Sequence, residues 1–205
     1  LLGQTVNSYG KNMLEGKVPF AKLLRMIAAV PGIERIRYTS PYPRDFTDDL
    51  LAAHCNVPQV MEHCHLPLQS GDDEVLKRMK RLYTVNSFSE IYNRLRSLPG
   101  MSITTDIIIG FPGETDDQFM NTMKVVETLR FDSAFMFAYS QRPGTPAANW
   151  DEQVPTDVKK KRLNELIALQ NEITLRINTE QAGSVFEVLV EGVSEKDPSL
   201  LKGHT

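Results

Sequence analysis

The sequence predicts an α/β fold, a partial parallel (β/α) barrel, and three observations support this prediction. Strand-like and helix-like segments alternate over residues 1–139 with short connections, which is typical of parallel βα units. The isoleucine run at residues 107–109 predicts a strand that is buried on both faces. The alternation is too short for a closed eight-stranded barrel, which needs about 250 residues. An open doubly wound sheet is the alternative, but no G-x-G-x-x-G motif follows a strand, which disfavours a dinucleotide site.

The elements follow one another in a regular order. Five apolar segments predict the strands, at residues 1–3, 33–40, 59–68, 102–110 and 133–139. Apolar residues at helical spacing predict helices after each strand. Thr47 is the predicted N-cap of the second helix, and Ser70 or Asp72 caps the third. Thr115 and Gln118 form a predicted capping box, which opens the helix after the fourth strand.

The character of the sequence changes after Trp150. Apolar residues at helical spacing predict a long amphipathic helix over residues 158–177. Residues 185–190 read as a strand, and the chain then stops inside a second strand-like segment. Because a two-stranded hairpin is not stable alone, we predict a first domain over residues 1–182 and the beginning of another over residues 183–205. The chain also begins without Met in a strand-like segment, so we expect a fragment.

The composition is that of an ordinary globular protein, with 41% hydrophobic and 24% charged residues. The formal net charge of −3 argues against a large basic nucleic-acid surface, although it leaves room for a local basic patch. No apolar run reaches membrane-spanning length, so we expect no membrane partner. Cys55 and Cys64 do not suggest a disulfide framework, which favours a cytoplasmic location.

Polar residues follow every predicted strand, and in parallel α/β folds the carboxyl ends of the strands form the active face. They are Gln4, Asn7, Ser40, Arg44, Gln69, Ser70, Asp106, Ser140, Gln141 and Arg142, and the fourth strand also ends at Gly110. Amides, hydroxyls and guanidinium groups suit a nucleoside and a carboxylate, although any one amide can instead stabilise a loop. Asp106 is a carboxylate inside an apolar strand, so it either bonds to neighbouring backbone or points at a ligand.

Residues 63–65, His-Cys-His, are a candidate metal site. His63 and His65 lie on one face of the predicted strand, and Cys64 lies on the other. Two histidines do not complete a tetrahedral site, and no C-x-x-C motif occurs in the chain. Structural or substrate-facing roles are therefore favoured over a metal site.

The predicted long helix begins with a basic run, Lys-Lys-Lys-Arg at residues 159–162. The simpler interpretation of this run is a solvated helix face. The alternative is contact with a phosphate backbone, for which the candidates are Lys159, Lys160 and Arg162.

Five stretches of the chain resemble the radical S-adenosylmethionine methylthiotransferases, and most closely their tRNA-modifying branch, the MiaB family. The stretches are residues 2–9, 65–71, 105–115, 131–135 and 139–147. They include the sequences LGQTVNSY, HLPLQSG and TDIIIGFPGET, and they occur in the order found in the family. As a set they are specific, although each is weak alone. The first stretch and the last two favour the tRNA branch over the branch that modifies a ribosomal protein.

The resemblance implies a partial TIM-like barrel that binds S-adenosylmethionine, followed by a small RNA-binding β-barrel, the TRAM domain. It implies addition of a methylthio group to an N6-isopentenylated adenosine beside the tRNA anticodon. One S-adenosylmethionine supplies the methyl group, and another yields the radical that abstracts hydrogen. The family uses two [4Fe-4S] clusters and an electron donor protein such as flavodoxin or ferredoxin.

The resemblance also suggests roles for individual residues. The candidates for S-adenosylmethionine contacts are Gln4, Asn7, Ser40, Gln69, Ser70, Ile109 and Gly110. The candidates near the adenine substrate are Asp106, Tyr139 and Arg142. The RNA candidates are those of the basic run, and no catalytic residue or metal ligand is assigned within the chain.

The chain departs from the family in its cysteines. Family members carry a C-x-x-x-C-x-x-C motif for the radical cluster and three further cysteines, whereas this chain has two cysteines in all. We therefore expect the chain to be inactive by itself. Two alternatives remain open at this point: a methylthiotransferase that acts on a ribosomal protein or on another modified adenosine, and a non-catalytic RNA-binding remnant.

Overall fold

The computed structural model describes residues 1–3, 5–14 and 16–204, so the predicted ligand contact Gln4 lies outside the described residues. The chain divides into two compact units, Leu1–Thr174 and Leu175–Thr205. The elements up to the long helix are α1 (Phe20–Ala28), α2 (Asp48–Asn56), β1 (His63–His65), α3 (Asp73–Arg78), α4 (Val85–Arg96), β2 (Ser102–Ile109), α5 (Asp116–Leu129), β3 (Ser133–Ala138) and α6 (Thr156–Glu180).

The first unit is built on a parallel sheet in the order β1-β2-β3, which confirms the predicted parallel α/β architecture. The prediction of strands at residues 1–3 and 33–40 is wrong, because neither segment forms a regular strand. Residues 1–3 lie beside the second predicted strand, since the Thr39 N–H donates a hydrogen bond to the Leu1 carbonyl oxygen at 3.2 Å. Ile36 forms a single parallel bridge with Val60. Both segments are extended, but within the described residues neither forms a continuous ladder of hydrogen bonds.

The third predicted strand, residues 59–68, is regular only over β1. Pro67 has no N–H to give to a ladder. Gln69 then adopts a left-handed backbone conformation, with φ of 70°, which turns the chain away from the strand.

Helix starts follow the predicted local signals. The Thr47 hydroxyl accepts a hydrogen bond from Leu50 N–H at 3.2 Å and caps α2. Asp72, rather than Ser70, caps α3, since its carboxylate accepts from two backbone N–H groups of the first turn. Thr115 and Gln118 form the predicted capping box of α5.

The two faces of β2 differ, so the prediction of a strand buried on both faces is wrong. Residues 103, 105, 107 and 109 are fully buried, and α4 packs against the strand. Asp106 and Ile108 lie on the opposite face and are only half-buried. They pair with Phe135 and Phe137 of β3, which are 58% and 52% exposed. Because helices cover one face and the other stays open, the pairs on the open face are available to a ligand.

The second unit contains the antiparallel hairpin β4 (Leu189–Val193) and β5 (Leu201–His204). The sequence predicted a strand at 185–190, four residues earlier. The position of β4 is set by its pairing, since Leu189 pairs with His204 and Val193 with Leu201. Among the described residues, no helix is both long and apolar enough to cross a membrane.

Candidate functional site

Two adjoining cavities open at the carboxyl ends of the parallel strands. The larger cavity has a volume of about 600 Å³ and the smaller cavity about 410 Å³. Gln69, Arg81 and Asp106 line both of them and form a shared wall. Each volume is within the range of small-ligand sites. The position agrees with the expectation that ligands bind beyond the carboxyl ends of such strands.

The larger cavity has an aromatic wall. The ring of Phe111 packs edge-to-face against Tyr139, with ring centres 5.1 Å apart, and against Trp150 at 5.7 Å. The Arg78 guanidinium lies over the Trp150 ring, 5.4 Å from its centre, and also pairs with Glu152. The larger cavity is also lined by Ile108, Phe137, Ala147 and the predicted substrate contact Arg142. Such a wall offers flat apolar surface to a planar ligand.

The smaller cavity is lined by a loop that Asn7 holds in place. The Asn7 side-chain amide donates to the Tyr42 carbonyl oxygen at 2.9 Å, and its oxygen accepts from Tyr42 N–H at 2.7 Å. Both polar groups of the buried Asn7 are thereby used within the protein. Tyr42 and the predicted contact Ser40 line the smaller cavity, whereas Asn7 supports them from behind.

The shared wall is fixed through Gln69. Its backbone N–H donates to the Asp106 carbonyl oxygen at 2.8 Å, and its own carbonyl oxygen accepts from Ile108 N–H at 2.9 Å. These bonds continue the sheet beyond β1 and hold the left-handed Gln69 against β2. The side chains of Gln69 and Asp106 therefore reach the same wall from neighbouring strands.

Arg81 is a cavity-lining residue that the sequence does not mark as a candidate. It lines both cavities, and its buried Nε has no hydrogen-bond partner among the described residues. An unsatisfied buried N–H is costly, and a carboxylate ligand would satisfy it. Arg81 follows helix α3 rather than a strand, so a search of strand ends passed over it. The only sequence signal was an arginine shortly after the HLPLQSG stretch.

Asp106 bonds to a histidine rather than to neighbouring backbone. Nε2 of His65 lies 3.2 Å from Oδ2 of Asp106, and Nδ1 of His65 lies 2.9 Å from the Thr104 hydroxyl. Asp106 also faces both cavities. Burial lowers the pKa of the adjacent His63 to about 4. In the part of the chain that the structure describes, no cluster of three or more His, Cys, Asp or Glu could hold a metal ion.

The remaining predicted contacts to S-adenosylmethionine are engaged within the protein. Gly110, with φ of 66°, donates its N–H to Oε1 of Glu114 at 2.8 Å. The Ile109 carbonyl oxygen accepts from Tyr139 N–H at 2.9 Å. Ser70 is buried, and its hydroxyl accepts from Asp72 N–H at 3.3 Å. The structure thus brings Ser40, Gln69, Asp106, Tyr139 and Arg142 to the cavities, and it places Asn7, Ser70, Ile109 and Gly110 behind them.

The basic run is divided between the interior and the surface. Lys159 donates to the Tyr139 carbonyl oxygen at 3.1 Å, and desolvation lowers its pKa. The Arg162 side chain is only 6% exposed and pairs with Glu114 at 2.8 Å. Lys160 is exposed. The run is therefore not a uniformly solvated face, and of the three RNA candidates Lys160 alone is exposed.

Comparison with known proteins gives a family match over much of the chain. The model of the Radical SAM superfamily matches residues 4–126. A tRNA-2-methylthio-N(6)-dimethylallyladenosine synthase from Acidothermus cellulolyticus is 53% identical over 96% of this chain. One of the same name from Carboxydothermus hydrogenoformans is 47% identical over the whole chain. The chain spans 40% and 47% of the length of these two relatives.

A solved structure shares the fold. Coproporphyrinogen III oxidase from Escherichia coli, a radical SAM enzyme, superposes with a TM-score of 0.58 at 21% sequence identity. The match covers 75% of this chain and 36% of that protein.

Proposed function

Because the chain belongs to the radical SAM superfamily, we propose that it is the S-adenosylmethionine-binding part of a tRNA methylthiotransferase. The substrate in this proposal is N6-dimethylallyladenosine beside the anticodon, to which a methylthio group is added. The observation that carries the proposal is the 47–53% identity with relatives named for this product across 96–100% of the chain. The cavities at the strand ends support it, since a nucleoside ligand needs such a site.

The shared wall suits S-adenosylmethionine chemically. Its carboxylate would pair with Arg81, whose buried Nε lacks a partner among the described residues. Gln69 stands beside Arg81 and offers an amide to the hydroxyl groups of this ligand. Asp106, which the resemblance suggests as a substrate contact, lines the same wall, and we assign its carboxylate to the hydroxyl and ammonium groups of S-adenosylmethionine. The aromatic wall of the larger cavity suits the adenine ring of S-adenosylmethionine, while Tyr139 and Arg142 stay the candidates for contact with the adenosine substrate. When bound, S-adenosylmethionine supplies the methyl group.

The described residues do not fit an iron–sulfur cluster. Cys64 is completely buried, and burial raises its thiol pKa to about 12, while Cys55 is exposed on α2. A cluster needs several thiolates close together. We propose that the ligands of two [4Fe-4S] clusters lie outside residues 1–205, and that a flavodoxin or ferredoxin supplies electrons.

The proposal includes tRNA as the partner and the cytoplasm as the location. Residues 183–205 would begin a TRAM domain, for which the support is the antiparallel hairpin that follows α6. Lys160, at the surface, is the RNA candidate within the basic run.

A chimera tests the proposed function. The matching segment of the Carboxydothermus relative is replaced by residues 1–205, and the chimera is expressed in a host whose own tRNA methylthiotransferase has been deleted. Mass spectrometry of tRNA nucleosides should detect 2-methylthio-N6-dimethylallyladenosine. A soluble chimera with normal iron content that leaves the nucleoside unmodified would contradict the proposal, as would a methylthio group found on a ribosomal protein instead.

A further inference from the structure

Two side chains of the basic run, Lys159 and Arg162, lie behind the wall of the larger cavity. We propose that they are positioning residues, which hold the turn at Gly110 so that Ile108 and Phe111 face the ligand. The inference rests on the proposed function, from which the occupant of the cavity, S-adenosylmethionine, is taken. It gives Lys159 and Arg162 a role in ligand binding instead of a role at an RNA surface.

The turn at Gly110 separates two residues that line the larger cavity, Ile108 and Phe111. Gly110 has a positive φ of 66°, which a residue with a side chain adopts only at a cost. Its N–H donates to Oε1 of Glu114 at 2.8 Å, so the Glu114 side chain closes the turn from behind. The direction in which Ile108 and Phe111 leave the turn therefore depends on where Glu114 lies.

Arg162 holds Glu114 in place. The Glu114 side chain is only 1% exposed. This burial is the largest influence on the pKa of Glu114 and raises it. A buried carboxylate needs a partner, and Arg162 supplies one, with Nη1 at 2.8 Å from Oε1 and 3.2 Å from the Glu114 carbonyl oxygen. Nη2 of Arg162 lies 2.7 Å from the exposed carboxylate of Asp116. One guanidinium thereby fixes both the side chain and the backbone of Glu114.

Lys159 connects the same turn to the next strand end. A Cβ atom built on Gly110 would lie 2.5 Å from Cγ of Lys159, so the lysine stem covers the glycine directly. Its ammonium donates to the Tyr139 carbonyl oxygen at 3.1 Å and lies 5.2 Å from the centre of the Tyr139 ring. Tyr139 itself lines the larger cavity. The turns that follow β2 and β3 are thus held together from one turn of α6.

A merely stabilising ion pair elsewhere in the first unit offers a matched control. Arg96 lies 2.8 Å from Asp132 and also bonds to the Met101 carbonyl oxygen at 2.8 Å. Arg96 is not among the residues that line the two cavities. Loss of Arg96 should therefore cost stability without changing the wall of the larger cavity.

The test uses the 205-residue chain and its variants Arg162→Ala, Arg162→Lys and Arg96→Ala. Amide hydrogen exchange at Gly110 is followed by NMR, and S-adenosylmethionine affinity is measured by equilibrium dialysis. Arg162→Ala should lower the protection of the Gly110 amide and the ligand affinity by about 10-fold each, because a misplaced wall no longer fits the ligand. Arg162→Lys should restore part of both, since an ammonium can still pair with Glu114 but lacks the guanidinium fork. Arg96→Ala should leave both at their original values after correction for global stability.

The inference is overturned if Arg162→Ala keeps full protection at Gly110, or if Arg96→Ala lowers ligand affinity as much as Arg162→Ala does. If Arg162→Ala does not fold, Lys159→Met decides, because it keeps the apolar stem and removes the two contacts of the ammonium with Tyr139, the hydrogen bond to its carbonyl oxygen and the cation–π contact with its ring. Unchanged ligand affinity and unchanged exchange at Gly110 would contradict the role of the run. If the unaltered chain binds no S-adenosylmethionine, that result counts against the proposed function. Amide exchange at Gly110 then still tests whether Arg162 holds the turn.

Discussion

His65 and Asp106 bond to each other across neighbouring parallel strands, with Nε2 of His65 3.2 Å from Oδ2 of Asp106. Because the Thr104 hydroxyl engages the other ring nitrogen of His65, the ring is held from both sides. One carboxylate oxygen of Asp106 is therefore directed to the histidine, and the residue faces both cavities. A carboxylate in an otherwise apolar strand is thus explained by a bond to a side chain and by the open face of the sheet.

Replacement of Asp106 by Asn should leave the fold intact and weaken ligand binding. The Asn side chain is similar in shape and can still bond to His65, but it lacks the charge that attracts ligand ammonium and hydroxyl groups. We expect S-adenosylmethionine affinity to fall about 10-fold, since hydrogen bonds to charged groups contribute about 1.5–3 kcal/mol. Isothermal titration calorimetry measures this, with the exposed Asp117→Asn of α5 as the control. Equal affinities for the two variants would remove Asp106 from the site.

Replacement of Arg81 should separate binding from stability. Arg81→Met removes a buried N–H that has no partner among the described residues, so the melting temperature should stay unchanged or rise. Ligand affinity should fall about 10–100-fold, because a charge-assisted pair with the ligand carboxylate is lost. Arg44→Ala, at an exposed arginine outside the cavity walls, serves as the control. A strongly destabilised Arg81→Met protein would show instead that Arg81 is a structural residue.

His63 should make the fold sensitive to mild acid. Burial lowers its folded-state pKa to about 4, below the ordinary value of 6.5, so the unfolded chain binds the proton more readily. The stability that this neutral histidine contributes is fully present above pH 6.5 and is lost as pH falls from 6.5 to 4. Allowing for partial solvent screening, we expect a loss of about 1–2 kcal/mol. Urea unfolding at pH 7 and pH 4.5 measures the free energy of unfolding at each pH. The difference between the two pH values should be smaller in His63→Asn than in the unaltered chain. An equal loss of stability in that variant would exclude His63 as the cause.

Of the three RNA candidates in the basic run, we expect Lys160 alone to contribute to RNA binding. The 205-residue chain has a net charge of −3, so tRNA binding should be weak and should fall steeply with added salt, because phosphate contacts release counterions. Lys160→Ala should reduce the slope of log affinity against log salt by about 1 if it contacts one phosphate. Lys159→Met should leave the slope unchanged, because its ammonium is bonded to Tyr139. A slope that Lys160→Ala does not alter would assign Lys160 to a solvated face.

Local signals in the sequence predicted the helix starts well, since a cap such as Thr47 or Thr115 satisfies N–H groups only three residues away. Strands were predicted less well because a strand needs a partner. Ile36 and Tyr38, in the second predicted strand, are buried, yet among the described residues Ile36 forms a single bridge, to Val60. The position of β4 likewise follows from pairing with residues 201–204, which local composition does not reveal.

Side-chain roles at the site depended on distant partners. Arg162 reads as a surface charge in the basic run, and only the fold brings Glu114, from a preceding loop, to within 2.8 Å of it. Asn7 reads as a ligand contact, but Tyr42 takes both of its polar groups. Gln69 and Asp106 line the cavities as their strand-end positions indicate, because the carboxyl ends of parallel strands lie at one edge of the sheet, and their contacts with a ligand stay predictions.

The central claim is that the strand ends of this chain bind S-adenosylmethionine, and an NMR titration of the isotope-labelled chain with that ligand tests it most directly. We expect saturable shifts at the shared wall of Gln69, Arg81 and Asp106, extending to Phe111 and Tyr139, and in Arg81→Met we expect the same shifts to saturate only at about 10–100-fold higher ligand concentrations. Shifts confined to residues outside the two cavities, or no shifts at saturating ligand, would contradict the claim.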